Sequence, residues 1–166
     1  MSRLEGFPPI AAAHAHTLIL GSMPGAASLA ATQYYAHPRN GFWPIVCAVL
    51  GIDPGEPYAV RAQQLAERGY ALWDVLGACR RRGSLDADIE AESLEINDFA
   101  GFLASHPGVA RIFFNGGAAE TFFRRRAWPQ LSEYANVTLR RLPSTSPANA
   151  SWSFADKLEA WKEIAR

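Results

Sequence analysis

Apolar residues follow two patterns along the chain: short runs and longer segments with helical spacing. Each short run ends close to glycine, serine or asparagine, which is typical of strands that stop at the edge of a sheet. We predict strands at residues 17–22, 109–114 and 137–142, and a further strand or extended segment at 70–76. We predict helices at residues 42–50, 58–68, 118–126 and 154–165, and another that is capped by Ser93 or Asn97 and runs to Leu103.

The order of these elements predicts an α/β fold. Three of the strands lead into a polar or glycine-rich loop and then into a helix, so a mostly parallel sheet with helices on its faces is expected. The loops that follow the strands then meet at one edge of the sheet. The chain has 166 residues and no convincing linker, and residues 1–166 are expected to form a single domain. In the last helix, Phe154, Leu158, Trp161 and Ile164 form a predicted core-facing stripe.

The composition favours a folded, soluble protein. Apolar residues make up 49% of the chain and charged residues only 19%, which argues against disorder. No run resembles a membrane helix or a secretion signal, so we expect a cytoplasmic monomer that does not bind membranes. Cys47 and Cys79 lie in apolar contexts and are expected to be reduced thiols. Neither cysteine has partners at zinc or iron–sulfur spacing, so no metal and no cofactor is predicted.

Charge is balanced over the whole chain but is unevenly distributed. The net charge is zero, and fourteen of the sixteen cationic residues are arginine. The arginines cluster at 80–82, 124–126 and 140–141, while acidic residues concentrate at 86–92. Arginine clusters suit phosphate oxygens, although each could equally be a solvated helix end or loop. The charged segment at 78–92 is predicted to be an exposed linker.

The segment that follows the first strand carries the most informative chemistry. A glycine turn at 21–25 leads to a loop with two tyrosines, a histidine and an amide, and then to an apolar helix that starts at Phe42. Aromatic rings beside an amide suit a flat ligand with hydrogen-bonding edges, such as a nucleobase. Asn40 could pair with such an edge or hold a water molecule, but it could instead cap the helix. Phe42 could stack on a base or pack in the core.

Two further loops are candidates for ligand contacts. Residues 143–150 place hydroxyl and amide groups between two prolines, which suits contact with DNA phosphates or insertion into a duplex. The same loop could be a plain polar connection to the last helix. The turn Asn115-Gly116-Gly117 exposes backbone amides at a helix start, which is a common anion site and a weak signal alone.

These segments resemble motifs of the uracil-DNA glycosylase superfamily, and most closely those of its hypoxanthine-DNA (deoxyinosine) glycosylase branch. The turn Gly21-Ser-Met-Pro-Gly25 is similar to the first motif of the superfamily. His37-Pro-Arg-Asn-Gly-Phe-Trp43 resembles the HPxNxFW signature that mismatch-specific uracil glycosylases also carry. Leu142-Pro-Ser-Thr-Ser-Pro-Ala-Asn149 resembles the form of the second motif found in the deoxyinosine branch.

The resemblance implies a three-layer α/β/α sandwich and a monofunctional glycosylase of base excision repair. Such an enzyme flips a deaminated base, here hypoxanthine, out of DNA and removes it with water, which leaves an abasic site. It implies Asn40 as the catalytic residue and Phe42 as the ring that stacks on the base. The implied base pocket comprises Gly21, Ser22, Met23, Pro24, Gly25, Tyr35, Phe42 and Asn115. The implied contacts to single- or double-stranded DNA are His37, Arg39, Ser144, Thr145, Ser146, Pro147, Ala148 and Asn149.

One departure from the superfamily pattern bears on the substrate. Many members carry Asp or Asn at the third position of the first motif, where it positions the attacking water. This chain has Met23 there, and a thioether can neither orient nor deprotonate water. Alternatives to hypoxanthine excision are removal of uracil, xanthine or a mismatched base opposite guanine, and a catalytically weak module that only binds DNA.

Overall fold

A computed structural model describes residues 2–166 and contains two sheets and six α-helices. The strands are β1 (Arg3–Glu5), β2 (Thr17–Gly21), β3 (Tyr70–Asp74), β4 (Leu76–Arg80), β5 (Glu95–Ile96), β6 (Arg111–Asn115) and β7 (Thr138–Leu142). The helices are α1 (Ala26–Ala31), α2 (Phe42–Leu50), α3 (Tyr58–Glu67), α4 (Phe99–Ser105), α5 (Gly117–Arg126) and α6 (Phe154–Trp161). Short 3-10 turns complete the fold, the last of them at Lys162–Ala165.

The central sheet has four parallel strands in the order β3-β2-β6-β7, which confirms the predicted α/β fold. Its register aligns the carboxyl ends of the strands, because Gly21 lies opposite Asp74 and Asn115 lies opposite Leu142. Every strand of this sheet therefore delivers its following residues to the same edge. The candidate site lies at that edge.

Helices cover both faces of the sheet and give the expected three layers. Successive strand residues alternate between two buried clusters, as the two-residue period of a strand requires. On β2, Leu18 and Leu20 pack against α4 and α5, whereas Ile19 packs against α2, α3 and α6. Among the described residues, none of the helices combines the length and the apolar character that crossing a membrane requires.

A second, antiparallel sheet in the order β1-β4-β5 corrects the prediction for the start of the segment 78–92. Most of residues 82–92 are exposed, as predicted. The segment predicted at 70–76 splits at Val75, and its continuation, β4, pairs with Arg3–Glu5 near the amino terminus. Cys79 is fully buried, and Arg81 is 3% exposed because its guanidinium donates to the carbonyls of Pro24 and Gly83. The sequence pattern did not predict this strand because its pairing partner is remote in the chain.

Three local predictions also differ from the structure. The side chain of Asp98 caps α4 by accepting from the Gly101 amide at 2.9 Å, in place of Ser93 or Asn97. Helix α1 was not predicted, since its six residues are too few to show a helical period. In α6, Trp161 and the following Ile164 are fully buried, but Phe154 is 53% exposed and is not part of the core.

Trp161 links the last helix to the loop that follows β7. Its indole Nε1 donates to the carbonyl of Pro143 at 2.9 Å, and its ring meets the edge of Phe42 with a centroid distance of 5.9 Å. We expect Trp161→Ala to lower the free energy of unfolding by about 3–5 kcal/mol through cavity formation. Phe154→Ala in the same helix should change it by about 0.5 kcal/mol or less. Urea unfolding followed by circular dichroism measures both, and equal losses would contradict this core assignment.

Candidate active site

A cavity of about 280 Å³ opens at the carboxyl edge of the central sheet. Residues from six separate stretches of the chain line it, and most of them follow a strand of the parallel sheet. The lining consists of residues 21–28, Tyr34, Tyr35, His37, Asn40, Asp74, residues 84–86, Asn115 and residues 144–148. The concave shape and mixed polarity suit a small planar ligand.

Thr145 connects three of these segments by hydrogen bonds. Its backbone amide donates to Oδ1 of Asn115 at 2.9 Å, and Nδ2 of Asn115 donates back to the Thr145 hydroxyl at 3.0 Å. The Thr145 hydroxyl in turn donates to Oδ1 of Asn40 at 2.8 Å. Its carbonyl accepts from the amide of Gly41 at 3.0 Å. Thr145 is 1% exposed, so these bonds are shielded from water and fix the orientation of both amides.

The Asn40 side chain bonds the first amide of α2, just before the cap residue Gly41, and also lines the cavity. Its Oδ1 accepts from the Phe42 amide at 2.9 Å as well as from Thr145, so both lone pairs of that oxygen are engaged. These two donors also settle which atom of the amide is the oxygen. Its Nδ2 has no hydrogen-bond partner within residues 2–166. Asn40 therefore offers the cavity donors and no free acceptor.

Tyr34 and Tyr35 line the cavity, whereas Phe42, which was predicted to stack on a base, lies behind Tyr35. Stacking of Phe42 on a base stays a prediction. Phe42 is fully buried, and it does not line the cavity. Tyr35 covers it with nearly parallel rings, at a centroid distance of 4.1 Å and an interplanar angle of 16°. Tyr35 adopts a left-handed backbone conformation, with φ of 55°, which turns the chain so that its ring lies over Phe42. The sequence pattern could not distinguish an inner from an outer ring.

Gly21 permits a close approach of two polar side chains. A β-carbon at residue 21 would lie 2.5 Å from Oδ1 of Asp74 and 2.6 Å from the phenol oxygen of Tyr35. No side chain larger than hydrogen fits between these groups. The predicted pocket residues Ser22, Met23, Pro24 and Gly25 also line the cavity, and Met23 contributes an apolar surface that is 7% exposed.

Two acidic residues at the cavity were missed by the sequence analysis. Asp74 ends β3 and is 4% exposed, and Oδ2 of its carboxyl group has no hydrogen-bond partner in the described part of the chain. Asp86 comes from the segment that was predicted to be exposed, and its Oδ1 accepts from the Ser22 hydroxyl at 2.6 Å. The signal for Asp74 was its place directly after the apolar run Tyr70–Trp73, at the carboxyl end of a strand.

Burial raises the pKa values of the inner polar groups. Burial, and then the charge of Asp86, raises the pKa of Asp74 to about 7, while Arg81 opposes the shift. Burial also raises the pKa of Asp86, but the hydrogen bond from Ser22 and the charge of Arg81 act in the opposite direction. Burial, and then the charge of Asp74, raises the pKa of the Tyr35 phenol.

The predicted DNA-contacting residues fall into three groups. Ser144, Thr145, Ser146, Pro147 and Ala148 line the cavity, as does His37 at its exposed rim. Asn149 lines an adjoining groove, and its Nδ2 donates to the carbonyl of Ser144 at 3.1 Å. Arg39 is exposed and lines neither cavity nor groove. The contact of each with DNA stays a prediction.

The adjoining groove, of about 820 Å³, is lined by one of the three arginine clusters. Arg140 and Arg141 line it, and their side chains are 64% and 61% exposed although they pair with Glu163 and Glu120. Arg81, by contrast, is buried, and the preceding Arg80 belongs to strand β4 of the antiparallel sheet. The groove shares Asp86, Asn115, Ser144 and Ala148 with the cavity, so a long ligand could occupy both.

Comparison with known proteins gives a consistent result over nearly the whole chain. Residues 8–165 match the family described as the Uracil DNA glycosylase superfamily. A hypoxanthine DNA glycosylase from Methanosarcina acetivorans is 33% identical over 163 residues, which is 98% of each chain. One from Methanosarcina barkeri is 38% identical over 113 residues, 68% of this chain and 70% of that protein.

A solved structure supports the same fold. The solution NMR structure of a candidate uracil DNA glycosylase from Methanosarcina acetivorans superimposes with a TM-score of 0.78 and 31% identity. The match covers 99% of this chain and 100% of that one.

The raised pKa of Asp74 predicts a pH-dependent gain in stability on replacement by asparagine. The folded pKa, about 7, exceeds the ordinary value of 3.8, so the wild type loses stability as pH rises from about 4 to about 7. Asp74→Asn cannot ionise, and its advantage in unfolding free energy over the wild type should grow across that window, by about 4 kcal/mol at most. Urea unfolding at several pH values measures this difference. A difference that is constant with pH would contradict the burial of an ionisable Asp74.

Proposed function

The chain belongs to the uracil DNA glycosylase superfamily, and we propose that it is a hypoxanthine DNA glycosylase of base excision repair. It hydrolyses the bond between hypoxanthine and deoxyribose and leaves an abasic site in DNA. The observation that carries this proposal is the match to a hypoxanthine DNA glycosylase over 98% of both chains. The cavity at the sheet edge provides the chemistry that such a reaction needs.

The target nucleotide reaches the cavity by leaving the base stack. The cavity lies below the surface at the ends of the strands, so a base inside a duplex must be flipped to enter it. Flipping costs a few kcal/mol, and less for a mispaired base, which favours a deaminated base over a paired one. The face of Tyr35, supported from behind by Phe42, provides a rigid surface for stacking.

Asn40 selects a base that presents an acceptor. Deamination of adenine replaces the 6-amino group, a donor, with a carbonyl, which is an acceptor. Because Oδ1 of Asn40 is engaged by Thr145 and Phe42, the amide can offer only its N–H groups to the base. Those groups bond to the carbonyl of hypoxanthine, whereas the amino group of adenine would leave donors facing donors. A buried polar group without a partner costs about 1–3 kcal/mol, which discriminates against adenine.

The reaction is expected to proceed through loosening of the base–sugar bond before water attacks. Met23 cannot position a water molecule, so a strong nucleophile is not provided at that place. A dissociative path suits this, because an oxocarbenium-like sugar reacts with weakly activated water. The N–H groups of Asn40 stabilise the negative charge that develops on the departing base.

The loop after β7 and the adjoining groove are placed to hold the DNA strand. Ser144 and Ser146 present hydroxyl groups beside the cavity, and Nζ of Lys157 fixes the loop by donating to the Ser146 carbonyl at 3.2 Å. Arg140 and Arg141 line the groove next to this loop and can meet phosphates with their planar guanidinium groups. The DNA backbone therefore runs from the groove across the loop.

A base panel tests the proposed substrate against its alternatives. Duplexes that each contain a single hypoxanthine, xanthine, uracil or adenine are incubated with excess protein, and abasic sites are then cleaved with alkali. The proposal expects the fastest cleavage at hypoxanthine and none at adenine. Faster cleavage at uracil would make the protein a uracil glycosylase, and binding without cleavage of any duplex would make it a DNA-binding module.

Replacing Asn40 tests its role in the reaction. Asn40→Ala removes the donors that face the base, and the single-turnover rate of hypoxanthine excision should fall by about 10²–10³-fold. Thr145→Val breaks the hydrogen bond that orients Asn40 and should lower the rate by up to about 10²-fold. Thr145→Ser keeps the hydroxyl group and serves as the matched control, with most of the rate retained. A folded Asn40→Ala variant that excises hypoxanthine at the wild-type rate would refute this role.

A further inference from the structure

Asp74 is a cavity-lining carboxyl group to which neither the superfamily motifs nor the roles described above assign a task. We propose that Asp74 is the general acid of the reaction, and that its protonated carboxyl group donates a proton to N7 of the departing hypoxanthine. This inference rests on the proposed function and names the step that releases a purine. It also predicts that purines, which have N7, depend on Asp74 in a way that uracil cannot.

The geometry of the inner cavity supports a ligand contact at Asp74. The side chain is almost completely buried, yet it lines the cavity, and its Oδ2 has no hydrogen-bond partner within residues 2–166. The phenol oxygen of Tyr35 is also buried and lacks a partner in the same part of the chain. Buried polar atoms are nearly always bonded, so two such atoms on residues that line one cavity indicate a site that a polar ligand completes. Gly21 keeps the space beside both atoms free of a side chain.

Burial first, and then the charge of Asp86, raises the pKa of Asp74 to about 7, so that part of the population is protonated at neutral pH. Tyr34 and Tyr35 face it from the loop before α2, and both phenols stay neutral because burial raises their pKa values. Asp86 faces it from the 3-10 turn at Asp86–Asp88 and disfavours a second negative charge, while Arg81 favours ionisation. With a pKa of about 7, Asp74 can both hold a proton and release it at neutral pH, which is the property of an efficient general acid.

The proposed step is balanced in atoms and charge. The Oδ–H bond of Asp74 breaks and an N–H bond forms at N7, while the bond from N9 to the sugar breaks and its electron pair stays on the base. Hypoxanthine leaves as a neutral molecule, the sugar becomes an oxocarbenium ion, and Asp74 becomes a carboxylate. Water then adds to the sugar carbon and releases one proton, which restores the acid form of Asp74. The net reaction consumes one water molecule.

The test measures rate and binding separately in Asp74→Asn. Asparagine keeps the size and a donor but cannot transfer a proton. We expect the single-turnover rate of hypoxanthine excision to fall by about 10²–10⁴-fold. Binding to a duplex that contains an uncleavable 2′-fluorinated deoxyinosine, measured by fluorescence anisotropy, should change less than about threefold. A loss of binding as large as the loss of rate would reduce Asp74 to a recognition residue and overturn the proposal.

The pH profile provides an independent readout. The wild-type rate should fall about tenfold per pH unit above about pH 7 as Asp74 loses its proton, and the rate of Asp74→Asn should be flat in the same range. Asp86→Asn removes a neighbouring negative charge, so in this variant the fall of the excision rate should begin at a lower pH than in the wild type. His37 also lines the cavity, and in His37→Gln the excision rate should still fall above about pH 7, as in the wild type. A wild-type rate that rises with pH would show that the ionised form acts, as a base, and would contradict the proposal.

The two levels of proposal fail in different ways. If the wild type removes hypoxanthine at no pH, the proposed function is wrong and Asp74 has no such step to catalyse. If the wild type removes hypoxanthine and Asp74→Asn does so at the same rate, the function stands and the acid assignment alone is wrong.

Discussion

The buried hydrogen bonds of Thr145 are the constraint on which the site depends. They join the loop after β2, the end of β6 and the loop after β7, three segments that are remote in sequence. Because Thr145 is shielded from water, losing its hydroxyl would leave buried amide groups without partners. The parallel sheet brings the segments to one edge, but Thr145 determines where the amide of Asn40 points. In the proposed function, selection of the base would therefore depend on a residue that need not touch the base.

A second set of polar groups lies deeper and is left incomplete. Gly21 allows the Asp74 carboxyl group and the Tyr35 hydroxyl to approach each other beside the cavity, and each has a buried oxygen without a partner among residues 2–166. Such groups reduce stability, which is common at sites that are completed by a ligand. The outer donors of Asn40 and the inner acid would thus act on different atoms of one planar base.

Local patterns predicted the parallel strands, the major helices and the loops that form the cavity. Periodicity succeeds there because each strand is a short apolar run that ends at the site edge. It failed for residues 78–80, which form a strand by pairing with Arg3–Glu5, a partner that is remote in the chain. The same failure hid Asp86, and Asp74 was taken as the middle of one extended segment. The sequence could not show that the Tyr35 ring lies between Phe42 and the cavity, because this arrangement depends on the left-handed backbone at Tyr35, which no local pattern predicts.

A structure of the protein bound to a duplex that contains uncleavable 2′-fluorinated deoxyinosine tests the central claim most directly. The account predicts a flipped hypoxanthine in the cavity with its face on Tyr35, Nδ2 of Asn40 within hydrogen-bonding distance of its carbonyl oxygen, and the Thr145 bonds unchanged. A base that stays in the duplex, or that lies in the cavity with the Asn40 amide turned away from it, would contradict the account.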